Sequence, residues 1–219
     1  MFNLLLFGPP GSGKGTQAEF IEKELGIKRL VTGDILREEV RKQTELGMQA
    51  KSYMDRGVLV PDHLVISMIR ERLLQPEYQN GILLDGFPRT VAQAQALDAM
   101  LNGLGKRIDL IIVLQVSEDE LVRRLSERLT CASCGRTYSA NDRINRCPYD
   151  GTILEKRSDD QPDVARKRIA VYNEQTRPVL DYYNNRVRIV LIDGQKSIQE
   201  VKTEIIGKIK VDYASELEK

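Results

Sequence analysis

The stretch NLLLFGPPGSGKGTQ, residues 3–17, decides the fold of this chain. A short apolar run is followed at once by a glycine-rich loop and then by residues with helical spacing. Gly8, Gly11 and Gly13 allow the backbone to turn tightly and to aim its N–H groups inward, and Lys14 can reach a terminal phosphate. The N-terminus of the following helix adds partial positive charge. The motif therefore predicts a phosphate-binding loop; a mere glycine-rich turn is the alternative.

This loop departs from the usual pattern at one position. Where Ser or Thr normally follows the lysine, the chain has Gly15, and Thr16 stands one residue later. Because Mg²⁺ readily keeps several waters, the missing hydroxyl indicates that the ion is held mainly by phosphates and water. We expect the phosphates of a nucleotide to contact Gly11, Ser12, Gly13, Lys14, Gly15 and Thr16.

Apolar runs alternate with amphipathic segments along the whole chain. After the first run, the spacing predicts a helix from Lys14 to Leu25, and further apolar runs occupy residues 29–31, 81–85, 109–114 and 188–192. These runs are continuous rather than alternating, which is typical of parallel strands buried on both faces. The sequence therefore predicts an α/β protein with a doubly wound parallel sheet of about five strands.

Two stretches interrupt this rhythm. Residues 32–60 have the pattern of two or three short helices, and residues 127–160 hold all three cysteines without a long apolar period. We expect both to be insertions into a single core that comprises residues 1–31, 61–126 and 161–219. The charged end of the chain, VDYASELEK, is expected to be a helical tail.

The composition excludes several classes of protein. Thirty-three Lys and Arg against thirty-two Asp and Glu give a net charge of +1, which provides no overall attraction to nucleic acid or to an anionic membrane. No run approaches the roughly 18 apolar residues of a membrane-spanning helix, and the first residues lack the basic leader of a signal peptide. We expect a cytoplasmic protein that binds neither nucleic acid nor membrane.

The segment CASCGRTYSANDRINRCPYDG, residues 131–151, contains two half-sites of the same form. One half-site contains Cys131 and Cys134, and the other contains Cys147 and Asp150. In each, two residues separate the candidate ligands, and a glycine that permits a tight turn follows. Four protein ligands would leave no open position, so we predict a structural zinc site. A disulfide between two of the cysteines and a simple Asp-Gly turn are the alternatives.

Asp85 and His63 are the other candidates for chemistry. Asp85 ends a predicted buried strand at the carboxyl edge of the sheet, where it can orient magnesium-bound water; an ordinary turn aspartate before glycine is the alternative. His63 stands at the start of a predicted helix, and we expect it to have a surface role rather than a catalytic one.

Taken together, these motifs make the chain resemble the adenylate kinase family, over residues 2 to about 210. They occur in the order and spacing of that family: GPPGSGKGTQ (8–17), TGDILR (32–37), DGFPRT (85–90) with Gln93, the cysteine segment, RSDDQ (157–161) and RKR (166–168). The resemblance is to bacterial members with a long zinc-binding lid, although twelve residues between Cys134 and Cys147 imply a trimmed lid loop. It implies a P-loop NTPase-like fold in which residues 32–60 close over AMP and residues 127–160 close over ATP.

The resemblance also implies an AMP site. Arg37 and Arg89 can grip a phosphate with a planar fork, and Gln93 offers an amide that can pair with one edge of adenine. A solvated or structurally paired charge is the alternative for any one such arginine. The implied AMP-binding residues are Thr32, Arg37, Val58, Leu59, Val60, Gly86, Phe87, Pro88, Arg89, Gln93, Arg157 and Arg168.

On the ATP side, Arg124 and Arg128 are four residues apart, which places both on one face of a helix that leads into the lid. The resemblance makes Arg128 a phosphate contact and Arg124 a flank for the adenine ring. Further ATP positions fall at Thr137, Tyr138 and the backbone of Lys196.

The implied reaction is reversible transfer of a phosphoryl group from ATP to AMP, which gives two ADP. It requires no general base, because the nucleophile is a phosphate oxygen that already carries charge. Arg157 and Arg168 are expected to reach across both substrates, while Asp159 and Asp160 serve as partners of the arginines or of magnesium-bound water. The expected catalytic set is Lys14, Asp85, Arg89, Arg128, Arg157, Asp159, Asp160 and Arg168.

Other functions remain open at this stage. The acceptor could be another nucleoside monophosphate, or the donor could be GTP. A nucleotide-binding scaffold whose zinc module contacts RNA or a protein is a more remote alternative, which the near-neutral charge and the complete arginine set disfavour. A monomer is the expectation for the family.

Overall fold

The computed structural model describes residues 2–217, in which two sheets account for all the strands. The strands are β1 (Phe2–Phe7), β2 (Lys28–Val31), β3 (Gly81–Asp85), β4 (Leu110–Gln115), β5 (Arg128–Cys131), β6 (Thr137–Ser139), β7 (Leu154–Glu155) and β8 (Arg188–Asp193). Five of them form a parallel sheet in the order β2-β3-β1-β4-β8. The predicted α/β fold with five parallel strands is thereby confirmed, and the strand expected at residues 109–114 is shifted by one residue.

Helices cover both faces of the parallel sheet. They are α1 (Lys14–Leu25), α2 (Thr32–Arg41), α3 (Glu45–Asp55), α4 (Asp62–Leu73), α5 (Val91–Gly103), α6 (Glu118–Ser126), α7 (Pro162–Val171), α8 (Pro178–Tyr183) and α9 (Ile198–Leu217). One apolar cluster joins α4, α5 and α8 to one face of the sheet, and a second joins α1 and α9 to the other. α9 includes most of the expected helical tail, and residues 218–219 lie outside the described part of the chain.

The sheet is not buried evenly. Every residue of the adjacent strands β1 and β3 is buried, as a continuous apolar run predicts. The edge strand β8 instead alternates between buried and exposed residues toward its end, and Leu191 is 56% exposed. The expectation of burial on both faces is therefore wrong for this strand, because an edge position leaves part of its surface without a covering helix.

The two interrupting stretches have different structures. Residues 32–60 contain α2 and α3, whereas residues 127–160 contain β5, β6 and β7, which form a small antiparallel sheet in the order β6-β5-β7. They touch each other, since Arg41 Nη1 donates to the carbonyl oxygen of Ala132 at 2.6 Å. Among the described residues, no helix combines the length and the apolar character that crossing a bilayer demands.

One local prediction fails at the entry to the second stretch. α6 ends at Ser126, and Arg128 is the first residue of β5, where it pairs with Ser139. Arg124 and Arg128 therefore do not share a helix face. The four-residue spacing indicates a shared face only while the helix continues, and here strand pairing takes over before Arg128.

Candidate active site

The phosphate loop is held open by left-handed backbone at its glycines. Gly11 and Gly13 have φ angles of 87° and 94°, a region that residues with a Cβ rarely adopt. At Gly8 an added Cβ would lie 2.6 Å from Ser12 Oγ and 2.9 Å from the carbonyl oxygen of Leu114. Glycine is therefore required both for the turn and for the close approach of the loop to β4.

Lys14 begins α1 and turns back over this loop. Its Nζ donates to the carbonyl oxygens of Gly8 and Pro9 at 2.6 and 2.9 Å. Burial lowers the pKa of Lys14 to about 8; the carboxylate of Asp85 opposes this effect, and the guanidinium of Arg89 adds to it. The pKa of Asp85 at the end of β3 is raised, chiefly by burial, with Lys14 acting in the opposite direction.

A cleft of about 750 Å³ extends from this loop across the carboxyl edge of the sheet. Its wall includes the expected phosphate-loop residues, both sets of expected nucleotide contacts, and the side chains of Asp85 and Asp159. Asp160 does not line the cleft, unlike the other members of the expected catalytic set. His63 is exposed and also lies outside the lining, as expected for a surface residue.

Asp160 lies behind the arginines instead. Its carboxylate accepts from Arg128 Nε at 2.7 Å and Nη2 at 2.5 Å, and from Arg168 Nη1 at 2.8 Å. Asp159 forms an ion pair with Arg168 at 3.1 Å. Asp160 is only 5% exposed, so its carboxylate holds the two guanidinium groups from the interior side of the cleft wall. The N–H groups that it does not bind remain for the cleft.

The arginines of the cleft crowd one another. Burial lowers the pKa of Arg89 to about 10, and the neighbouring Arg168 acts in the same direction. Burial, together with Arg37 and Arg128, lowers the pKa of Arg157 to about 9. The pKa of Arg168 is also lowered by burial. Although aspartates offset part of this charge, the cations still oppose one another, so a bound anion would be favoured in the cleft.

The expected AMP residues meet around the end of β3 and the start of α5. Gln93 is 1% exposed; its Oε1 accepts the backbone N–H of Arg89 at 2.7 Å, and its Nε2 donates to Asp62 Oδ1 at 2.8 Å. Buried Thr32 Oγ1 has no hydrogen-bond partner within residues 2–217. Arg37 is paired with Asp34 at 2.5 Å. These polar atoms therefore line a pocket that still has unused hydrogen-bonding capacity.

The expected ATP residues lie on the opposite side of the cleft. Arg124 is held by Glu120 at 2.6 Å within α6. The hydroxyl of Tyr138 lies 3.3 Å from Cys147 Sγ, which links the cleft wall to the cysteine cluster. The Lys196 side chain turns away to Glu204 at 2.8 Å, which is consistent with the expectation that its backbone, rather than its ammonium, faces a ligand.

Sequence reasoning missed a group of cleft residues that join residues 127–160 to α1. Arg136 lies 3.0 Å from Glu19 of α1, and its guanidinium stacks on Tyr149 at 3.5 Å from the ring centre. All three residues line the cleft. Arg136 stands beside the expected Thr137, so its position in the motif was a usable signal, whereas its partner on α1 is set only by folding.

The three cysteines and Asp150 come together beneath β5. Cys134 Sγ lies 3.6 Å from Cys147 Sγ, and Cys131 Sγ lies 3.4 Å from the nearer carboxylate oxygen of Asp150. All four ligand atoms lie within 4.8 Å of one another, and the three thiols are free in the structure, which favours a metal site over a disulfide. A tetrahedron around Zn²⁺, with Zn–S of about 2.3 Å and Zn–O of about 2.0 Å, requires separations close to these.

The backbone supports this arrangement. Gly135 and Gly151, one after each half-site, both have φ of 73°, and their N–H groups donate to the carbonyl oxygens of Cys131 and Cys147 at 3.0 and 2.9 Å. Each half-site is thus a tight turn that presents two ligands to one point. The donor set of three thiolates and one carboxylate fits a structural zinc ion.

A phosphate loop that faces a basic cleft beneath two insertions is the arrangement of a nucleoside monophosphate kinase. The family model for adenylate kinase matches residues 6–188. The chain is 48% identical over 213 residues to the adenylate kinase of Methanocella arvoryzae, an alignment that covers 94% of this chain and 97% of that protein. It is 47% identical to adenylate kinases of Archaeoglobus fulgidus (95% and 99% covered) and Bacillus licheniformis (93% and 95% covered). The chain belongs to the adenylate kinase family.

Proposed function

We propose that this chain catalyses reversible, magnesium-dependent transfer of the γ-phosphoryl group of ATP to AMP, which yields two ADP. One observation carries the proposal: Lys14 and the arginines of both expected nucleotide sites converge on a single cleft, and the pKa values of Lys14, Arg89, Arg157 and Arg168 are all lowered by burial there. Two polyanionic substrates would balance this charge. Family membership supports the same reaction.

The phosphate loop and Lys14 bind the β- and γ-phosphates of ATP in this proposal, while Arg37 and Arg89 hold the phosphate of AMP. Arg128, Arg157 and Arg168 then lie between the two sites and neutralise the charge of the passing phosphoryl group. Asp160 keeps Arg128 and Arg168 in place, as its three hydrogen bonds to them indicate. No side chain needs to remove a proton, because the attacking phosphate oxygen is already ionised.

Magnesium fits the cleft through oxygen ligands. Asp85 places a carboxylate at the edge of the sheet, where it would orient magnesium-bound water. Because Gly15 offers no hydroxyl, we expect phosphates and water to hold the ion. When bound, Mg²⁺ would offset charge on the bridging phosphate oxygens. The raised pKa of buried Asp85 would fall again beside the cation, which favours the ionised form.

The remaining nucleotide contacts follow the two sides of the cleft. We assign the adenine of AMP to Thr32, Gln93 and the backbone of residues 58–60, and the adenosine of ATP to Arg124, Thr137, Tyr138 and the backbone of Lys196. Residues 86–88 form the turn that presents Arg89. These assignments place the acceptor beside α2 and α3 and the donor beside β5 and β6.

We propose that residues 32–60 and 127–160 are mobile covers over AMP and ATP, with a structural zinc ion in the second. Their mutual contact through Arg41 and Ala132 supports this proposal, because closure over both substrates would exclude water and protect ATP from hydrolysis. We further propose a monomer that acts in the cytoplasm, where a reducing environment would keep the three thiols free for zinc.

Chromatography of nucleotides after incubation with ATP, AMP and Mg²⁺ tests this function. We expect ATP and AMP to disappear in equal amounts while two ADP form, and the reverse reaction to proceed from ADP alone. Parallel incubations replace AMP by GMP, CMP or UMP, and ATP by GTP. ATP consumption that does not depend on AMP, or faster turnover with another pair, would contradict the proposal.

A further inference from the structure

Asp62 does not line the cleft, yet it is tied to the Gln93 amide that does. It is the first residue of α4, and its two carboxylate oxygens have different partners. Oδ1 accepts from Gln93 Nε2 at 2.8 Å, and Oδ2 accepts from the hydroxyl of Thr90 at 2.9 Å. The Thr90 oxygen in turn accepts the backbone N–H of Gln93 at 3.1 Å. This chain of bonds links the starts of α4 and α5.

The direction of each bond is set by chemistry. A backbone N–H can only donate and an ionised carboxylate can only accept. Because Arg89 offers its N–H and Asp62 its carboxylate, Gln93 must turn Oε1 toward Arg89 and Nε2 toward Asp62. A reversed amide would set two donors against each other at Arg89 and two acceptors against each other at Asp62. The amide orientation is therefore fixed.

An amide held in one orientation presents a single arrangement of hydrogen-bond donor and acceptor to the cleft. Nε2 retains one unused hydrogen, and Oε1 retains one unused lone pair. Adenine presents a 6-amino donor beside the N1 acceptor, whereas guanine presents an O6 acceptor beside an N1 donor. The fixed pattern matches a 6-aminopurine and opposes a 6-oxopurine.

We infer that Asp62 is a specificity-determining positioning residue, which holds the Gln93 amide in the orientation that selects a 6-aminopurine monophosphate. The inference rests on the proposed function, because it needs a nucleoside monophosphate in this pocket. Asp62 itself touches no substrate and acts only through Gln93. Arg89 contributes the second anchor through its backbone, which no side-chain substitution removes.

Kinetics of Asp62→Ala and Asp62→Asn test the inference at saturating ATP. Asparagine can still present one acceptor to Nε2, whereas alanine presents none. We expect Asp62→Ala to raise the KM for AMP about tenfold and to leave kcat within about twofold of the parent protein. The ratio of AMP affinity to GMP affinity, with GMP as a competing ligand, should fall by about tenfold as well. Asp62→Asn should keep the KM for AMP within about threefold of the parent protein.

The same pair of variants separates positioning from a structural role. Asp62 also lies in the first turn of α4, where its charge favours the helix N-terminus, and both variants lose that charge. A purely structural role predicts equal losses in both, visible as a lower melting temperature with unchanged KM. Asp163→Ala is the matched control, since Asp163 lies in the first turn of α7 with a fully exposed side chain and does not line the cleft.

Three further outcomes are decisive, with AMP and GMP binding measured by calorimetry beside turnover. Parent-like KM and base preference in Asp62→Ala, in a protein that phosphorylates AMP normally, would overturn this inference alone. Equal effects of the alanine and asparagine variants on KM would also overturn it. The parent protein could bind AMP in preference to GMP, lose that preference in Asp62→Ala, and yet transfer no phosphoryl group. That result would support the inference and overturn the proposed function.

Discussion

The phosphate loop and β1, which form the floor of the cleft, are stabilised by different interactions from the small sheet of residues 127–160. The phosphate loop follows β1, whose six residues are all buried between two large apolar clusters. Residues 127–160 bury only Cys131, Cys147 and Leu154 as an apolar cluster of their own. Ordering a residue costs about 1–2 kcal/mol of backbone entropy, which so small a cluster cannot offset.

If residues 127–160 are the mobile cover that we propose, this difference would let one chain combine a rigid site with a moving segment. Hydrophobic burial fixes the floor, where a displacement of Lys14 would misplace the reacting phosphate. A metal ion bound by these four residues would stabilise residues 127–160 without attaching them to the core, because all four candidate ligands lie within that segment. The contact of Arg136 with Glu19, from the cover to the core, is partly exposed and weak, whereas the ion pair of Asp160 with Arg168 at the end of the cover is buried.

Removal of Lys14 tests the floor most strongly. We expect Lys14→Met to lower kcat by about 10³-fold, because the transition state loses a buried cation at the transferring phosphate. The melting temperature should hold or rise, since the charged form of Lys14 is disfavoured by burial. Steady-state kinetics and calorimetric melting measure both. Lys23→Met, at an exposed position of the same helix, is the control, and near-normal turnover in Lys14→Met would contradict the role.

Arg89→Ala tests one side of the floor. We expect the KM for AMP to rise by about 30- to 100-fold, because hydrogen bonds to a charged group contribute about 1.5–3 kcal/mol each. The affinity for ATP should change much less. Separate titrations of the two nucleotides measure this, with Arg70→Ala, an exposed arginine of α4, as the control. Equal losses for ATP and AMP would argue against the assignment.

The pH dependence of ATP binding tests the charge on Lys14. With a pKa of about 8, Lys14 is charged below that pH and loses its proton above it, whereas a bound phosphate favours the charged form. Affinity should therefore be nearly flat below about pH 7, begin to fall near pH 8, and drop by about fivefold between pH 8 and 9. Calorimetric titrations in the parent and in Lys14→Met measure this slope. A flat profile to pH 9 in the parent would refute the prediction.

Loss of the proposed zinc site should destabilise residues 127–160 far more than the floor of the cleft. We expect Cys134→Ser, or treatment with a chelator, to lower the melting temperature by about 5–10 °C, equivalent to roughly 2–3 kcal/mol for a domain of this size. Turnover at low temperature should fall by no more than about threefold, because the ligands leave no open position for catalysis. Ser133→Ala, between the ligands, is the control. Complete loss of turnover in a protein that is still folded would point instead to a catalytic metal.

The smallest effect is expected at the contact between cover and core. Arg136→Ala should raise the KM for ATP by about twofold, since the ion pair with Glu19 is partly exposed and solvent-screened. A double-mutant cycle with Glu19→Gln measures the coupling between the two side chains. An effect as large as that of Arg89→Ala would mean that the cover is fixed to the core by this pair.

Much of the fold was predictable because it is local. The bounds of α1 follow from glycines on both sides, Gly13 and Gly26, which adopt left-handed backbone at its two ends. The half-sites of the metal cluster follow from two-residue spacings that end in a glycine. The prediction for Arg128 failed because strand pairing with Ser139, a long-range interaction, ended the helix before that residue.

The sequence by itself determined the phosphate loop, the five strands and the spacing of the four candidate metal ligands, since neighbouring residues and their φ angles suffice for each. Only the tertiary structure decided which partners the charged and polar groups take. Asp160 lies beneath Arg128, 32 positions away, and Asp62 reaches Gln93, 31 positions away. The physical reason is that such pairs form where helices and strands converge at the edge of the sheet, a geometry that no local pattern records.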